Sequence, residues 1–238
     1  MYQPRASEDF QGAVVAPIVL PQFGALPCAE PAPERPPFSF SRVIDIVFAL
    51  IAIIFTAPML ITVAAWVRLY DGGPAVFSQE RIGYGGRRFR CFKFRSMVVD
   101  AERRLEALLE RDPDARREWQ ATHKLRADPR ITPLGSFLRR SSIDELPQLL
   151  NILRGDMSLV GPRPIVQAEI CRYGRFFRAY CSVRPGLTGL WQVNGRNDVS
   201  YRQRVAYDVL YARRHSASLD MAIILKTVPA VLARRGCY

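Results

Sequence analysis

The chain has 238 residues, 34 of them Lys or Arg and 22 Asp or Glu, for a formal net charge of +12. With 49% hydrophobic and 11% aromatic residues it has apolar surface enough for a core, which excludes a chain disordered throughout. Five cysteines without Cys-x-x-Cys spacing (Cys28, Cys91, Cys171, Cys181, Cys237) and two histidines (His123, His215) weigh against a disulfide scaffold, a zinc ribbon, a His-rich metal site and a Ser-His-Asp hydrolase. Only three of the cations are Lys. Arg is the better bidentate partner for phosphate, so the charge points to phosphorylated substrates, nucleic acid or anionic lipid.

Residues 1–41 hold eight of the eighteen prolines, carry a net charge of −2 and have no periodic apolar face. They read as a disordered leader, without the basic start, short apolar core and small-residue cleavage site of a signal peptide. A membrane segment is expected over 42–68. From Val43 to Val67 the only charge in 25 residues is Asp45, and Arg42 and Arg68 bracket the run. As a helix it would extend roughly 37 Å, against a hydrocarbon thickness of about 30 Å. Pro58 removes a backbone hydrogen bond inside it. The segment either spans with a tolerated proline or breaks there and returns to the face it entered from, with Thr56 answering freed backbone groups and Asp45 reaching a cation at the interface. Both topologies fit the residues.

Residues 69–238 form the globular part. Ala75–Gln79 and Arg88–Phe94 read as strands of a hairpin turned at Gly83-Tyr84-Gly85-Gly86. A charged helix is expected over Asp100–Leu125, interrupted near Asp112-Pro113, and another over Gly135–Leu153 with Pro147 inside it. Glu169–Tyr180 alternates Arg172, Arg175 and Arg178 with Tyr173, Phe176, Phe177 and Tyr180, a pattern suited to a helix in the headgroup region. Helices over Ala206–Arg214 and Leu219–Ala233 complete the chain. The fold class is α+β, mostly helical with a small β-hairpin. Arg68, Arg81, Arg87, Arg88 and Arg90 follow the apolar run closely, which places the globular part in the cytoplasm.

No Walker loop or Gly-x-Gly-x-x-Gly is present. The chemistry gathers instead in Leu138-Arg139-Arg140-Ser141-Ser142-Ile143-Asp144-Glu145-Leu146-Pro147-Gln148-Leu149. Adjacent carboxylates repel one another, and one of them takes a raised pKa unless a cation compensates. A divalent metal and Arg139 together favour ionisation, and an ionised carboxylate so placed can attack phosphorus.

Around this run stand Gln79-Glu80-Arg81-Ile82-Gly83, Lys93-Phe94-Arg95-Ser96-Met97, Asp128-Pro129-Arg130-Ile131-Thr132 and Arg154-Gly155-Asp156-Met157-Ser158-Leu159-Val160-Gly161-Pro162-Arg163-Pro164. Downstream follow Arg184-Pro185-Gly186-Leu187-Thr188-Gly189, Gln192-Val193-Asn194-Gly195-Arg196-Asn197 and Asp208-Val209-Leu210-Tyr211. Over about residues 40–238 the chain resembles the bacterial sugar transferase family, the monotopic phosphoglycosyl transferases, in their short exopolysaccharide-initiating form. The resemblance implies transfer of a sugar 1-phosphate, galactose or glucose favoured, from a UDP-sugar to undecaprenyl phosphate with release of UMP. It implies a phosphosugar intermediate on Asp144, with Glu145 assisting metal and proton traffic, Arg139 and Lys93 on phosphate, Arg163 on the nucleotide, and Asp208 joining the pair around Mg2+. It also implies a monotopic protein of the bacterial inner membrane, its catalytic domain cytoplasmic, with a proline-kinked re-entrant helix. The family's kink is a Ser-Pro pair. Here it is Ala57-Pro58, so Thr56 would have to substitute. Two other readings compete: a non-catalytic membrane scaffold for polysaccharide assembly, with Asp144-Glu145 as a helix cap, and a membrane-tethered nucleic-acid binder. The second lacks any reader motif, so nucleic acid is not an expected partner.

Overall fold

The computed structural model describes residues 39–122, 125, 127–195 and 199–232. Of the leader read from the sequence over 1–41, all but the last three residues lie outside them, as do His123, Lys124, Arg196, Asn197 and Ala233. The apolar run forms α1, Phe40–Asp71, a helix of 32 residues that takes in Phe40 and Ser41 and runs three residues past 68. Gly72 ends it at φ +73°, its N–H donating to the Arg68 carbonyl, a left-handed cap natural for glycine. The helix continues through Ala57-Pro58 without interruption. The Thr56 hydroxyl donates to the carbonyl of Ala52 at 2.6 Å, and that of Thr62 donates to the carbonyl of Pro58 at 2.8 Å.

One stripe of α1 packs on the globular part and the rest is bare. Ala49, Val63 and Val67 are buried, whereas Ile51, Ile54, Phe55, Ile61 and Leu69 are exposed, Phe55 to 85%. Asp45 does not wait for an interfacial cation. Its Oδ1 accepts from the Leu159 N–H at 2.9 Å and the Ser158 hydroxyl at 3.0 Å. Arg42, 3.9 Å from Asp45, donates to the carbonyl of Ile152 at 2.6 Å. Polar residues at the start of an apolar helix thus tie it to the domain behind.

The hairpin is β1, Val76–Ile82, and β2, Arg88–Phe94, antiparallel and joined by a tight turn over Tyr84–Gly86. Glu80 faces Arg90 across it. The charged segment divides at the expected place into α2, Ala101–Arg111, and α3, Pro113–Thr122, where the Asp112 carboxylate caps the N–H groups of Asp114 and Ala115.

The single helix expected over Gly135–Leu153 is instead α4, Pro133–Arg140, a 3-10 turn over Ile143–Glu145, and α5, Gln148–Arg154. Two backbone features divide it: Ser142 sits at φ +58°, the one non-glycine residue with positive φ among the described residues, and Pro147 caps α5. A second sheet, absent from the sequence reading, pairs β3, Ser158–Val160, in parallel with β4, Gly186–Thr188.

The headgroup helix expected over Glu169–Tyr180 is overturned as well. The segment is a run of short turns and helices, with α6 at Ile170–Tyr173 and α7 at Phe177–Cys181. Its aromatics face inward: Tyr173 and Tyr180 are fully buried, with ring centroids 5.1 Å apart, edge to face. Arginines alternating with aromatics here mark an ordinary half-buried face. Then come α8, Leu190–Val193, α9, Tyr201–Arg214, and α10, Ala217–Leu232.

Three apolar clusters hold these elements. The first gathers Ala49, Leu149, Ile152, Met157, Val160, Tyr211 and Ile223 from α1, α5, β3, α9 and α10. The second gathers Ile82, Ile165, Tyr173, Tyr180, Val205 and Val209. The third joins Val63 and Val67 of α1 to Phe94, Leu134 and Leu138.

Candidate active site

Asn151 of α5 docks that helix on β2. Its Nδ2 donates to the Arg90 carbonyl at 2.7 Å, and its Oδ1 accepts from the Phe92 N–H at 3.0 Å. This places Lys93, the next residue along β2, against the 3-10 turn before α5, where its Nζ lies 2.6 Å from Glu145 Oε1. From the other side, α4 lies on the backbone after β2 so closely that a Cβ on Gly135 would sit 1.9 Å from the Ser96 carbonyl oxygen. That approach, possible only for glycine, lets Arg139 Nε donate to Ser96 Oγ at 2.8 Å.

The adjacent carboxylates are in opposite states. Burial disfavours the charged form of Glu145, but Lys93 beside it and Arg163 beyond outweigh this and hold its pKa below the ordinary value. Asp144, 8% exposed, accepts no hydrogen bond among the described residues. Burial first, and the neighbouring Glu145 charge second, push its pKa up to about 6, while Lys93, Arg139 and Arg163 pull the other way. At neutral pH it is mostly ionised, desolvated and free: a more basic, less encumbered oxygen than an ordinary surface aspartate.

A cleft opens beside the pair, lined by Arg81, Cys91, Lys93, Glu145, Gln148, Arg163, Pro164, Gly186, Leu187 and Gln192. Burial and the charge of Arg163 lower the pKa of Arg81, and burial lowers that of Arg139. Cations crowded in this way are relieved by an anion. The Cys91 thiol is pushed up by burial, which keeps it protonated and inert.

Of the residues singled out in the sequence, Lys93, Glu145 and Arg163 line this cleft, and Asp144 and Arg139 lie within electrostatic reach of one another beside it. Asp208 does not join them. It lies in α9, 1% exposed in the second cluster, and accepts from the Tyr173 hydroxyl at 2.7 Å; burial raises its pKa to about 7. Among the described residues no three His, Cys, Asp or Glu side chains gather to hold a metal. Arg81, Gln148 and Gln192 were in the quoted motifs but had no role; their positions along the chain give no sign that they share one cleft.

A basic cleft next to an acidic pair suits phosphorylated substrates, and the same chain carries a helix long and apolar enough to cross a membrane. The profile of the bacterial sugar transferase family matches residues 37–234. Similar proteins include the exopolysaccharide production protein ExoY of Sinorhizobium fredii, 47% identical over 197 residues covering 83% of this chain and 87% of that protein. The undecaprenyl-phosphate galactose phosphotransferase of Salmonella typhimurium is 48% identical over 198 residues, 83% of this chain and 41% of that protein. The UDP-glucose:undecaprenyl-phosphate glucose-1-phosphate transferase of Xanthomonas campestris pv. campestris is 41% identical over 202 residues, 82% of this chain and 39% of that protein. The chain belongs to the bacterial sugar transferase family and is an enzyme of the phosphoglycosyl transferase class.

Proposed function

We propose that this protein starts exopolysaccharide assembly by moving a sugar 1-phosphate, galactose or glucose, from a UDP-sugar to undecaprenyl phosphate, with release of UMP. The observation that carries the reading is the contrast within the acidic pair: Glu145 is engaged by Lys93, and Asp144 is left free among cations. In the first half-reaction an Asp144 oxygen attacks the phosphorus that bears the sugar. The bond from that phosphorus to the bridging oxygen breaks, and UMP leaves with its electron pair. In the second, an oxygen of undecaprenyl phosphate attacks the same phosphorus, the acyl-phosphate bond breaks, and the Asp144 carboxylate is restored. Arg139, Arg163, Lys93 and Arg81 are placed to neutralise the phosphates in turn.

The acidic pair fits Mg2+, which binds one or two carboxylates and takes its remaining ligands from substrate phosphates and water. Asp144 and Glu145 would hold it, and it would supply charge neutralisation at the diphosphate. Asp208 lies in a different cluster and is not among these ligands.

The membrane arrangement follows from α1. Arg42 and Asp45 near its start and Val63 and Val67 near its end pack on the same domain, and its opposite face is bare. This favours entry into one leaflet of the inner membrane with the domain cytoplasmic, over a span that would carry one end away. Cysteine placed at Ser39 or Ser78, read by mass spectrometry, should escape a membrane-impermeant thiol reagent in intact cells. Labelling of Ser39→Cys from outside would establish a span.

The reaction is tested with membranes, UDP-galactose or UDP-glucose and undecaprenyl phosphate. A chloroform-soluble product bearing one sugar, with UMP released, is expected. Donor alone should leave a sugar-phosphate mass on the peptide containing Asp144. Release of UDP, or turnover without any such adduct, would replace the mechanism.

A further inference from the structure

The cations of the cleft read phosphate charge, which every sugar nucleotide carries. Choice among donors falls to uncharged groups with a fixed donor and acceptor, because a site left with an unpaired polar group rejects the wrong ligand. Two residues lining the cleft carry a side-chain amide, Gln148 and Gln192.

Gln148 is 3% exposed, yet its amide makes no hydrogen bond with any described residue. Asn151, one turn along the same helix, is the opposite case: both ends of its amide are satisfied, by the Arg90 carbonyl and the Phe92 N–H. The Gln148 amide is not enclosed without a partner; it keeps its donor and acceptor available at the cleft it lines. Asn151 is explained by the joint it makes between helix and strand. Gln148 makes no such joint, and it stands at the cleft one turn after the acidic pair.

Gln192 is the second amide of the cleft, and here the acceptor is enclosed. Its Nε2 donates to the Leu187 carbonyl at 3.3 Å, which orients the amide, and its Oε1 is buried without a partner. A Cβ on Gly189 would come within 3.1 Å of that oxygen, so the amide is seated against backbone.

Resting on the transferase reading above, we infer that Gln148 and Gln192 are the specificity-determining residues of the cleft, hydrogen-bonding the uncharged part of the sugar nucleotide. The chemistry they select is a neutral group with both O–H or N–H donors and oxygen acceptors. The hexose hydroxyls and the uracil imide edge both present it.

The test uses the full chain in membranes, with Gln148→Met and Gln192→Met, which keep length and lose the hydrogen bonds. Three quantities are read: kcat/KM for UDP-galactose and for UDP-glucose, inhibition by UMP, and the thermal midpoint. A hexose contact changes the ratio of the two kcat/KM values by about fivefold or more. A uracil contact leaves that ratio alone and weakens UMP inhibition by a similar factor. Either result supports the inference if the midpoint is not lowered, since a ligand contact adds nothing to the stability of the free protein. Variants that change neither quantity overturn it. So does an equal loss with both donors and UMP accompanied by a lower midpoint, the mark of a structural residue. An unaltered protein that transfers from neither UDP-sugar defeats the transferase reading, a result distinct from these and read first.

Discussion

Two regions hold a buried carboxylate whose pKa burial has raised: the cleft around Asp144 and the aromatic cluster around Asp208, at about 6 and about 7. Burial and pKa alone do not tell them apart. Surroundings do. Asp208 accepts from Tyr173 and sits among Tyr180, Val205 and Val209, a satisfied group in a packed core. Asp144 accepts no hydrogen bond among the described residues and feels three cations and a second carboxylate beside a cleft. A shifted pKa marks a site of reaction only where the group is also left unpartnered and within reach of substrate.

The sharpest way to break this comparison is Asp144→Asn. Transfer should fall by a factor on the order of 10³ or more, since the nucleophile is gone, while membrane association persists. The folded pKa lies above the unfolded value, so the ionised group is a liability above that range, one relieved as pH falls. The variant should therefore be more stable at pH 7, by about 1–3 kcal/mol, seen as a higher thermal midpoint. Retained transfer would return the pair to the role of a helix cap and remove Asp144 as the nucleophile.

Lys93→Met should come next, with transfer down by about 10- to 100-fold. It leaves Glu145 without its partner, so both carboxylates compete for one proton and the acid limb of the pH profile moves upward. An unmoved limb would separate Lys93 from the pair. In the unaltered protein, transfer should decline as pH drops through about 6, and by about tenfold for each further unit as Asp144 takes up its proton. A profile flat to pH 5 would contradict the assignment.

The smallest effect is expected at Asp208→Asn, which keeps an acceptor for the Tyr173 hydroxyl. Transfer should change by less than about threefold. Collapse of activity in a folded variant would restore Asp208 to the metal site.

Much was legible in the sequence because it is local. A run of 25 residues with a single charge determines a membrane-seeking helix wherever the rest of the chain goes. Alternation and glycines determined the hairpin, and Asp112-Pro113 the break between α2 and α3. The acidic pair announced itself as two neighbouring carboxylates behind two arginines.

What needed the tertiary structure is what depends on partners distant in the chain. Pairing β3 with β4 requires residues from two separate segments, and neither is long enough to show a period by itself. The aromatics of 173–180 carry the same alternation whether they meet lipid or protein, and only packing on Val205 and Val209 decided for protein. Asp144 and Asp208 are the same side chain in the sequence. One lies in a cleft with Lys93 and Arg163 and the other under Tyr173, because electrostatic and hydrogen-bond energies depend on distances in space, which chain order does not encode.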